Sequence, residues 1–260
     1  MGDESAMKIA VCIKQVVTRE WQLRVNDQKT WIRDADASFE LNEPDAYALE
    51  EALRLKEKQG GEVVVCCAGP ARATQVIREA LARGADRAIH VESDALGSAD
   101  AAVVADALAG AIKDEQFDLV LTGLQSDDQG FGQVGVVLAE RLGMPHATII
   151  MDVQIEGGTL RVKRELEGGW FQWVGLPLPA LLTIQSGINQ LRYATLKGIM
   201  AAKKKEIRKA GPLPASQPTQ QIVALYVPEK AKKTELLTGS AVDAARQLVA
   251  KLRDEARVIQ

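Results

Sequence analysis

The chain is poor in the residues that most often do chemistry. It holds two histidines and three cysteines in 260 residues. Cys12, Cys66 and Cys67 all lie inside apolar runs, and no Cys-x-x-Cys or Cys/His cluster occurs, so structural zinc and a disulfide scaffold are excluded. His90 falls in a strand-like run, where a satisfied core histidine is the simpler reading, and His146 follows Pro145 in a loop. Gly-x-Ser-x-Gly, the phosphate-loop pattern ending in Gly-Lys-Ser/Thr, and His-Glu-x-x-His are all missing. No apolar run approaches the ~20 residues that span a bilayer. The start, MGDESAMKIAV, has no basic stretch followed by a long apolar one, so neither a secretory signal nor direct membrane insertion is expected. A net charge of −3 gives no electrostatic reason to bind nucleic acid. With reduced cysteines and no leader, a cytoplasmic setting is the expectation.

What is present is ordinary globular composition, 47% hydrophobic and 26% charged, enough for one large domain with an extension. Ile9–Ile13, Val63–Cys67 and Leu119–Leu121 are apolar at every position, and Ala88–Val91 at all but His90, as strands covered on both faces of a parallel sheet must largely be. Amphipathic stretches lie between them. In Ala73–Gly84, Val76, Ile77, Ala80 and Leu81 share one face and Gly84 supplies a C-cap. Pro44–Lys58 repeats the pattern behind Asn42, a candidate N-cap. Ser98 is the expected cap of a third helix, and Val134, Val137, Leu138 and Leu142 stripe a fourth. Strand, crossover helix and strand in repetition predict an α/β fold with a parallel sheet between helices. Trp21–Leu41 reads as a hairpin inserted after the first strand, turning at Asn26-Asp27, and Ile149–Val174 as antiparallel additions around glycine pairs.

From Lys203 to about Pro228 the chain is basic, then rich in Pro, Ser, Gln and Thr, and reads as an extended arm. A last helix carries Val242, Ala245, Leu248, Val249 and Leu252 on one face. That stripe packs either back on its own domain or on another chain. The expected division is therefore a domain over 1–202 and an arm with its helix over 203–260.

Two stretches stand out. Gly123-Leu124-Gln125-Ser126-Asp127-Asp128-Gln129-Gly130-Phe131-Gly132-Gln133-Val134-Gly135 follows one strand and opens a helix at the carboxyl edge of the sheet, where loop amides and a helix start can cradle a phosphate. Its Gly-x-Gly-x-x-Gly spacing follows a late strand and sits behind two carboxylates, so it is not read as a dinucleotide fingerprint. The loops at Leu41–Asp45 and Ala68–Pro70 share that edge. The second stretch is Leu191-Arg192-Tyr193-Ala194-Thr195-Leu196 through Ile199-Met200 to Lys203-Lys204-Lys205, read as a short surface helix with a solvated lysine tail. Its apolar groups ringed by charge have the composition of a docking site.

These stretches, with Ala10–Val16, Ala48–Ala52 and Gly84–Arg87, resemble the β (small) subunit of electron-transfer flavoproteins from Lys8 to Ile259. The resemblance implies a Rossmann-like sheet of the adenine-nucleotide-hydrolase type without hydrolase activity. It implies an electron-carrier subunit rather than an enzyme, bacterial or archaeal and cytoplasmic. AMP would be buried here by Cys12, Asn42, Asp45, Ala68, Gly123, Gln125, Asp128, Gly132, Gln133, Val134 and Gly135, with a second FAD, as in bifurcating members, the alternative. An α subunit, clasped by the arm, would hold the electron-carrying FAD. A recognition loop over 187–202, with Arg192, Tyr193, Leu196, Ile199 and Met200, would dock acyl-CoA or related flavin dehydrogenases, Leu196 being the anchor. A membrane quinone oxidoreductase would be the acceptor. The shifted, glycine-rich Asp127–Gly130 segment and the lack of an aromatic at Asp45 depart from the family pattern. Two other classes remain open: an NAD-dependent dehydrogenase and an AMP- or ATP-binding sensor module.

Overall fold

A computed structural model describes residues 6–35, 37–211, 216–228 and 234–259. By its internal contacts the chain divides into two units, Met1–Leu225 and Tyr226–Gln260. The first is built on β1 (Met7–Ile13), β4 (Gly61–Gly69), β5 (Arg87–Glu92), β6 (Leu119–Gly123), β7 (His146–Glu156), β8 (Thr159–Glu165), β9 (Phe171–Leu176), β10 (Ala180–Ile184) and β11 (Ile207–Lys209). They form one sheet in the order β11-β5-β4-β1-β6-β10-β7-β8-β9. The seven strands from β11 to β7 run parallel, and β8 and β9 add antiparallel. The result is the Rossmann-like α/β sheet with antiparallel additions that the patterning predicts.

The central strands are buried at nearly every position because both faces are covered, successive side chains going to opposite faces. Ile9, Val11, Val63 and Val65 pack toward α1 (Glu43–Gln59) and α2 (Thr74–Arg83), where Leu49, Leu53, Ile77 and Leu81 meet them. Ala10, Cys12, Val64 and Cys66 pack on the other face toward α3 (Ala101–Ile112) and α4 (Val134–Leu142), through Leu108, Ile112 and Leu138. Truncating one such fully buried leucine to alanine costs ~2–5 kcal/mol. Pro44 opens α1, where its missing N–H is not needed, and Gly84 closes α2 by donating its N–H to the Ala80 carbonyl.

The inserted segment is framed by a two-stranded ribbon, β2 (Gln15–Val17) against β3 (Phe39–Leu41). Its turn is the expected one: Val25 bridges Ile32, and the Asn26 side chain accepts the N–H of Thr30 at 3.0 Å. Three local expectations change. The cap of α3 is Asp100, whose carboxylate accepts the Val103 N–H at 2.9 Å, and not Ser98. Lys205 leaves the solvated lysine tail and donates to the Leu81 and Ala85 carbonyls at 3.0 and 2.5 Å, completing the end of α2. The boundary drawn at residue 202 falls short of β11, which joins the sheet beside β5. In the second unit, α6 (Ala241–Asp254) is capped by Ser240, and none of the described residues there is buried. No described helix is long and apolar enough to cross a membrane.

Candidate functional site

β1 lies between β4 and β6, so the chain leaves its central strand in opposite directions. Doubly wound sheets hold ligands in the crevice that opens at such a reversal, outside the carboxyl ends of the strands. A cleft of about 830 Å3, its open mouth included, lies there. Cys12 and Ile13 from β1 with Lys14 just beyond it, Ala68 from β4 and the loop after β6 line it, together with an apolar wall of Leu96, Ala101, Val104 and Leu108. Phe131, half exposed, stands among the loop residues at this cleft.

Two buried polar side chains set the shape of the cleft. Asp45, in the first turn of α1, accepts the N–H of Lys14 at 2.8 Å and of Gly123 at 2.9 Å. Burial pushes its carboxyl up to about 7, against the pull of the Lys14 amide, Asn42 and the Gly123 amide. Asn42 holds the N-cap position of α1 but makes no cap bond. Its side chain crosses to the β6 loop, donating to the Gln125 carbonyl at 3.0 Å and accepting the Asp127 N–H at 2.9 Å. Both residues line the cleft with their side chains engaged by the protein's own backbone.

The loop turns through Gly130 and Gly132 at φ 66° and 63°, backbone that glycine adopts without strain. A Cβ on Gly135 would lie 2.6 Å from Thr122 Oγ1 and 2.7 Å from Thr183 Cγ2, so the first turn of α4 lies tight on the sheet. Gln133, at the N-cap of α4, makes no side-chain cap bond. The start of α4 therefore brings helix-terminal N–H groups and their partial positive charge to the cleft. Lys14 adds a full charge. Its Nζ donates to Asp128 at 2.7 Å, to Gln129 Oε1 at 2.9 Å and to Ser126 Oγ at 3.4 Å. Cys66 and burial push the Cys12 thiol well up, and burial raises Cys67 to about 12, so neither is a thiolate at neutral pH. Among the described residues no cluster of His, Cys, Asp or Glu could hold a metal.

Of the residues singled out from the sequence, Cys12, Asn42, Asp45, Ala68, Gly123, Gln125, Gly132, Gln133, Val134 and Gly135 all line this cleft. Asp128 does not; it pairs with Lys14. Ser126 and Phe131, within the stretch read as a phosphate-cradling loop, line the cleft as well, whereas Lys14 and the apolar wall are not among the residues the sequence points to. Lys14 carried a signal, being the first residue past the central strand. The wall carried none, because Leu96–Leu108 reads as one more amphipathic segment.

The second stretch lies elsewhere. After β10 the chain runs to α5 (Leu196–Ala202), capped by Thr195, whose hydroxyl accepts the Gly198 N–H at 3.0 Å. Tyr193 is 92% exposed, Leu196 84%, Met200 62% and Ile199 44%, an apolar patch left uncovered by the described residues. Arg192 is not part of that patch. It forms ion pairs with Glu50 and Glu57 on α1.

Fold and cleft together define a Rossmann-like α/β protein with a ligand-sized crevice at its switch point. The sequence matches the family model of the electron transfer flavoprotein domain over residues 30–213. It is 37% identical to the electron transfer flavoprotein subunit beta of Methylophilus methylotrophus, over 94% of this chain and 97% of that one. The subunit beta of Bacillus subtilis is 35% identical over 97% and 100% of the two chains, and that of Homo sapiens 36% identical over 97% and 99%. The chain belongs to the electron transfer flavoprotein family, among its beta subunits.

Proposed function

We propose that this chain is the β subunit of a heterodimeric electron carrier, holding one AMP in the cleft and docking dehydrogenases through the patch around Leu196. It works with an FAD bound mainly by the α subunit, in the cytoplasm of a bacterium or archaeon. The observation that carries the reading is the composition of the cleft. Its wall of Leu96, Ala101, Val104 and Leu108, with Phe131 nearby, suits a planar apolar base. The uncapped start of α4 and the Lys14 ammonium suit a phosphate. Such a site suits an adenylate held as a structural ligand, since both Asp45 carboxylate oxygens are taken up by the Lys14 and Gly123 N–H groups and the Cys12 thiol stays protonated.

The flavin supplies the redox chemistry when bound; this chain orients and docks. Acyl-CoA or related flavin dehydrogenases are the proposed donors and a membrane quinone oxidoreductase the proposed acceptor. Leu196 and Met200 are compact, exposed apolar groups beside Lys197, Lys203 and Lys204, the makeup of an anchor within a polar rim. The exposed stripe of α6 and the arm before it are proposed to grip the α subunit.

The test is copurification with a co-expressed α chain, followed by denaturing extraction and identification of the bound nucleotides. One AMP and one FAD per heterodimer is expected. Two FAD and no AMP would replace AMP by a second flavin, as in bifurcating carriers. A colourless homodimer carrying ATP or AMP would make the chain a sensor module, and NAD-dependent turnover by the isolated chain would make it a dehydrogenase. Either of these last two results overturns the carrier reading.

A further inference from the structure

We propose that Glu50, a carboxylate on α1 outside the nucleotide cleft, is the positioning residue that fixes the 189–202 segment in its docking pose and so sets how well the carrier engages its dehydrogenase. This deepens the docking role proposed above and rests on it. Glu50 has a side chain only 5% exposed, yet it faces two guanidiniums. It accepts Arg54 Nε at 2.9 Å, Arg192 Nε at 2.8 Å, Arg192 Nη2 at 3.1 Å and the Arg192 backbone N–H at 3.2 Å. Burial works against its charge, but the bonds from Arg192 and Arg54 prevail and hold its carboxyl below the ordinary value. Arg192 reaches on to Glu57, two turns along the same face of α1, at 2.6 Å. Glu57 is 59% exposed, and a pair so solvated contributes little, so the buried Glu50 is the anchor.

The same stretch is tied on both sides of Arg192. Before Arg192, Asn189 donates to the Tyr47 carbonyl at 3.2 Å and to Glu51 at 3.0 Å, and Arg54 donates to the Gln190 carbonyl at 3.2 Å. Beyond it, Arg78 closes α5 by donating to the Ala202 and Lys205 carbonyls at 2.5 and 2.8 Å. Gly198 lies so close to the Ala82 carbonyl that a Cβ there would collide with it. A polar hollow, lined by Glu50, Arg54, Ala82, Arg83, Leu191 and Tyr193, opens beside Arg192. Leu191 and Ala194 pack on the core and α5 lies on α2, so what the ion pairs fix is the backbone at Arg192 and the exposed Tyr193 beside it, from which the chain enters α5. A docking loop already held in its bound shape gives up less freedom on binding, which strengthens the complex without adding a contact.

Glu50→Gln keeps the shape of the side chain but puts an NH2 donor where guanidinium donors converge, so one oxygen's bonds are lost and Arg192 must move. The experiment uses the purified heterodimer as the varied substrate of an acyl-CoA dehydrogenase, following flavin reduction. Glu50→Gln should raise KM for the carrier about tenfold, with flavin content and visible spectrum as in the parent. Glu50→Asp should recover part of the loss. If Glu50 acts through the pose of Leu196, then Leu196→Ala alone slows reduction and adding Glu50→Gln to it costs less than about a further twofold, because the two act as one unit. Full additivity, or loss of flavin from Glu50→Gln, overturns the proposal, since Glu50 would then act on the fold at large. A slow Leu196→Ala beside a normal Glu50→Gln overturns it while leaving the docking role intact. A Leu196→Ala carrier as fast as the parent, or a parent that accepts no electrons from the dehydrogenase, removes the docking role and this inference with it.

Discussion

Gly123 ends the fourth parallel strand where α1 crosses it most closely. A Cβ built there would stand 2.7 Å from the Asp45 nitrogen and 2.7 Å from the Pro44 carbonyl carbon, and would collide with Asp45 Oδ1. Backbone cannot yield as a side chain can, so Gly123→Ala must push α1 from the sheet and break the bond that Asp45 accepts from residue 123. The expected cost is about 1–3 kcal/mol, a fall in Tm of roughly 2–10 °C, with loss of bound nucleotide. Gly132→Ala is the companion, with its nearest neighbour at 3.6 Å and φ at 63°; only backbone strain, about 1 kcal/mol, is at stake. Thermal melts of both variants, with nucleotide content per chain, check the pair, and an unchanged Gly123→Ala melt would refute the close approach. Residues of this kind show how the sequence speaks at the smallest scale. Asn42 and Asp45 could be flagged as polar groups in a conspicuous loop. What they bind, amides 85 and 78 residues away, is a property of the folded edge and leaves no local pattern. The same holds for Lys14, whose partners lie 112 to 115 residues further on.

At the scale of elements, periodicity carried most of the information. A strand buried on both faces must be apolar at nearly every position, and a helix lying on a sheet must be apolar every three or four, so β1, β4, β5, β6 and α1 to α4 are legible in the sequence. What failed was short or held by charge. β11 spans three residues, Ile-Arg-Lys, too few to show a period, and ion pairs join its backbone ladder in holding it beside β5. Glu115 makes that visible, receiving Lys8 of β1 at 2.9 Å, Arg87 of β5 at 2.7 Å and Arg208 of β11 at 2.8 Å. Burial opposes its charge, yet the bonds from Lys8 and Arg87 hold its carboxyl down at about 2, below the ordinary 4.5. A carboxyl lowered by folding stabilises fully above its unfolded value and loses that contribution as pH falls. Glu115 should thus support the fold fully above pH 4.5 and progressively less down to pH 2. Glu115→Gln should cost about 2 kcal/mol at neutral pH, and the gap between variant and parent should close across that acid window. Tm measured by circular dichroism at half-unit steps of pH decides it; a gap that stays constant to pH 2.5 would show that the cluster does not use the charge.

For the whole molecule, the distribution of burial is uneven in a way that bears on assembly. Every described residue that is buried lies at or before Ala202, whereas α6 leaves Val242 59%, Leu248 48% and Val249 43% exposed on its apolar stripe. An isolated helix of 14 residues is marginal in water, and most helical stability in proteins comes from packing an apolar face. Tyr226, Val227 and Leu236 are likewise exposed, at 79%, 70% and 83%. A segment of this composition is built to be completed by a surface outside itself. Stopping the chain after Leu225 should therefore separate two properties. The sheet unit should melt within a few degrees of the full chain, because its core is untouched. Recovery of a co-expressed α chain and its FAD on a tagged β chain should fall at least tenfold, the loss expected when several interface anchors go together. Leu248→Asp with Val249→Asp in the full chain supplies the same test without removing residues, since burying two carboxylates at an apolar contact costs far more than exposing them. If both forms retain the partner and its flavin at parental levels, the grip lies in the sheet unit and the arm has another role. If both lose it while the melt is preserved, the 35 residues of the second unit act as a clasp whose fold is finished only in the complex.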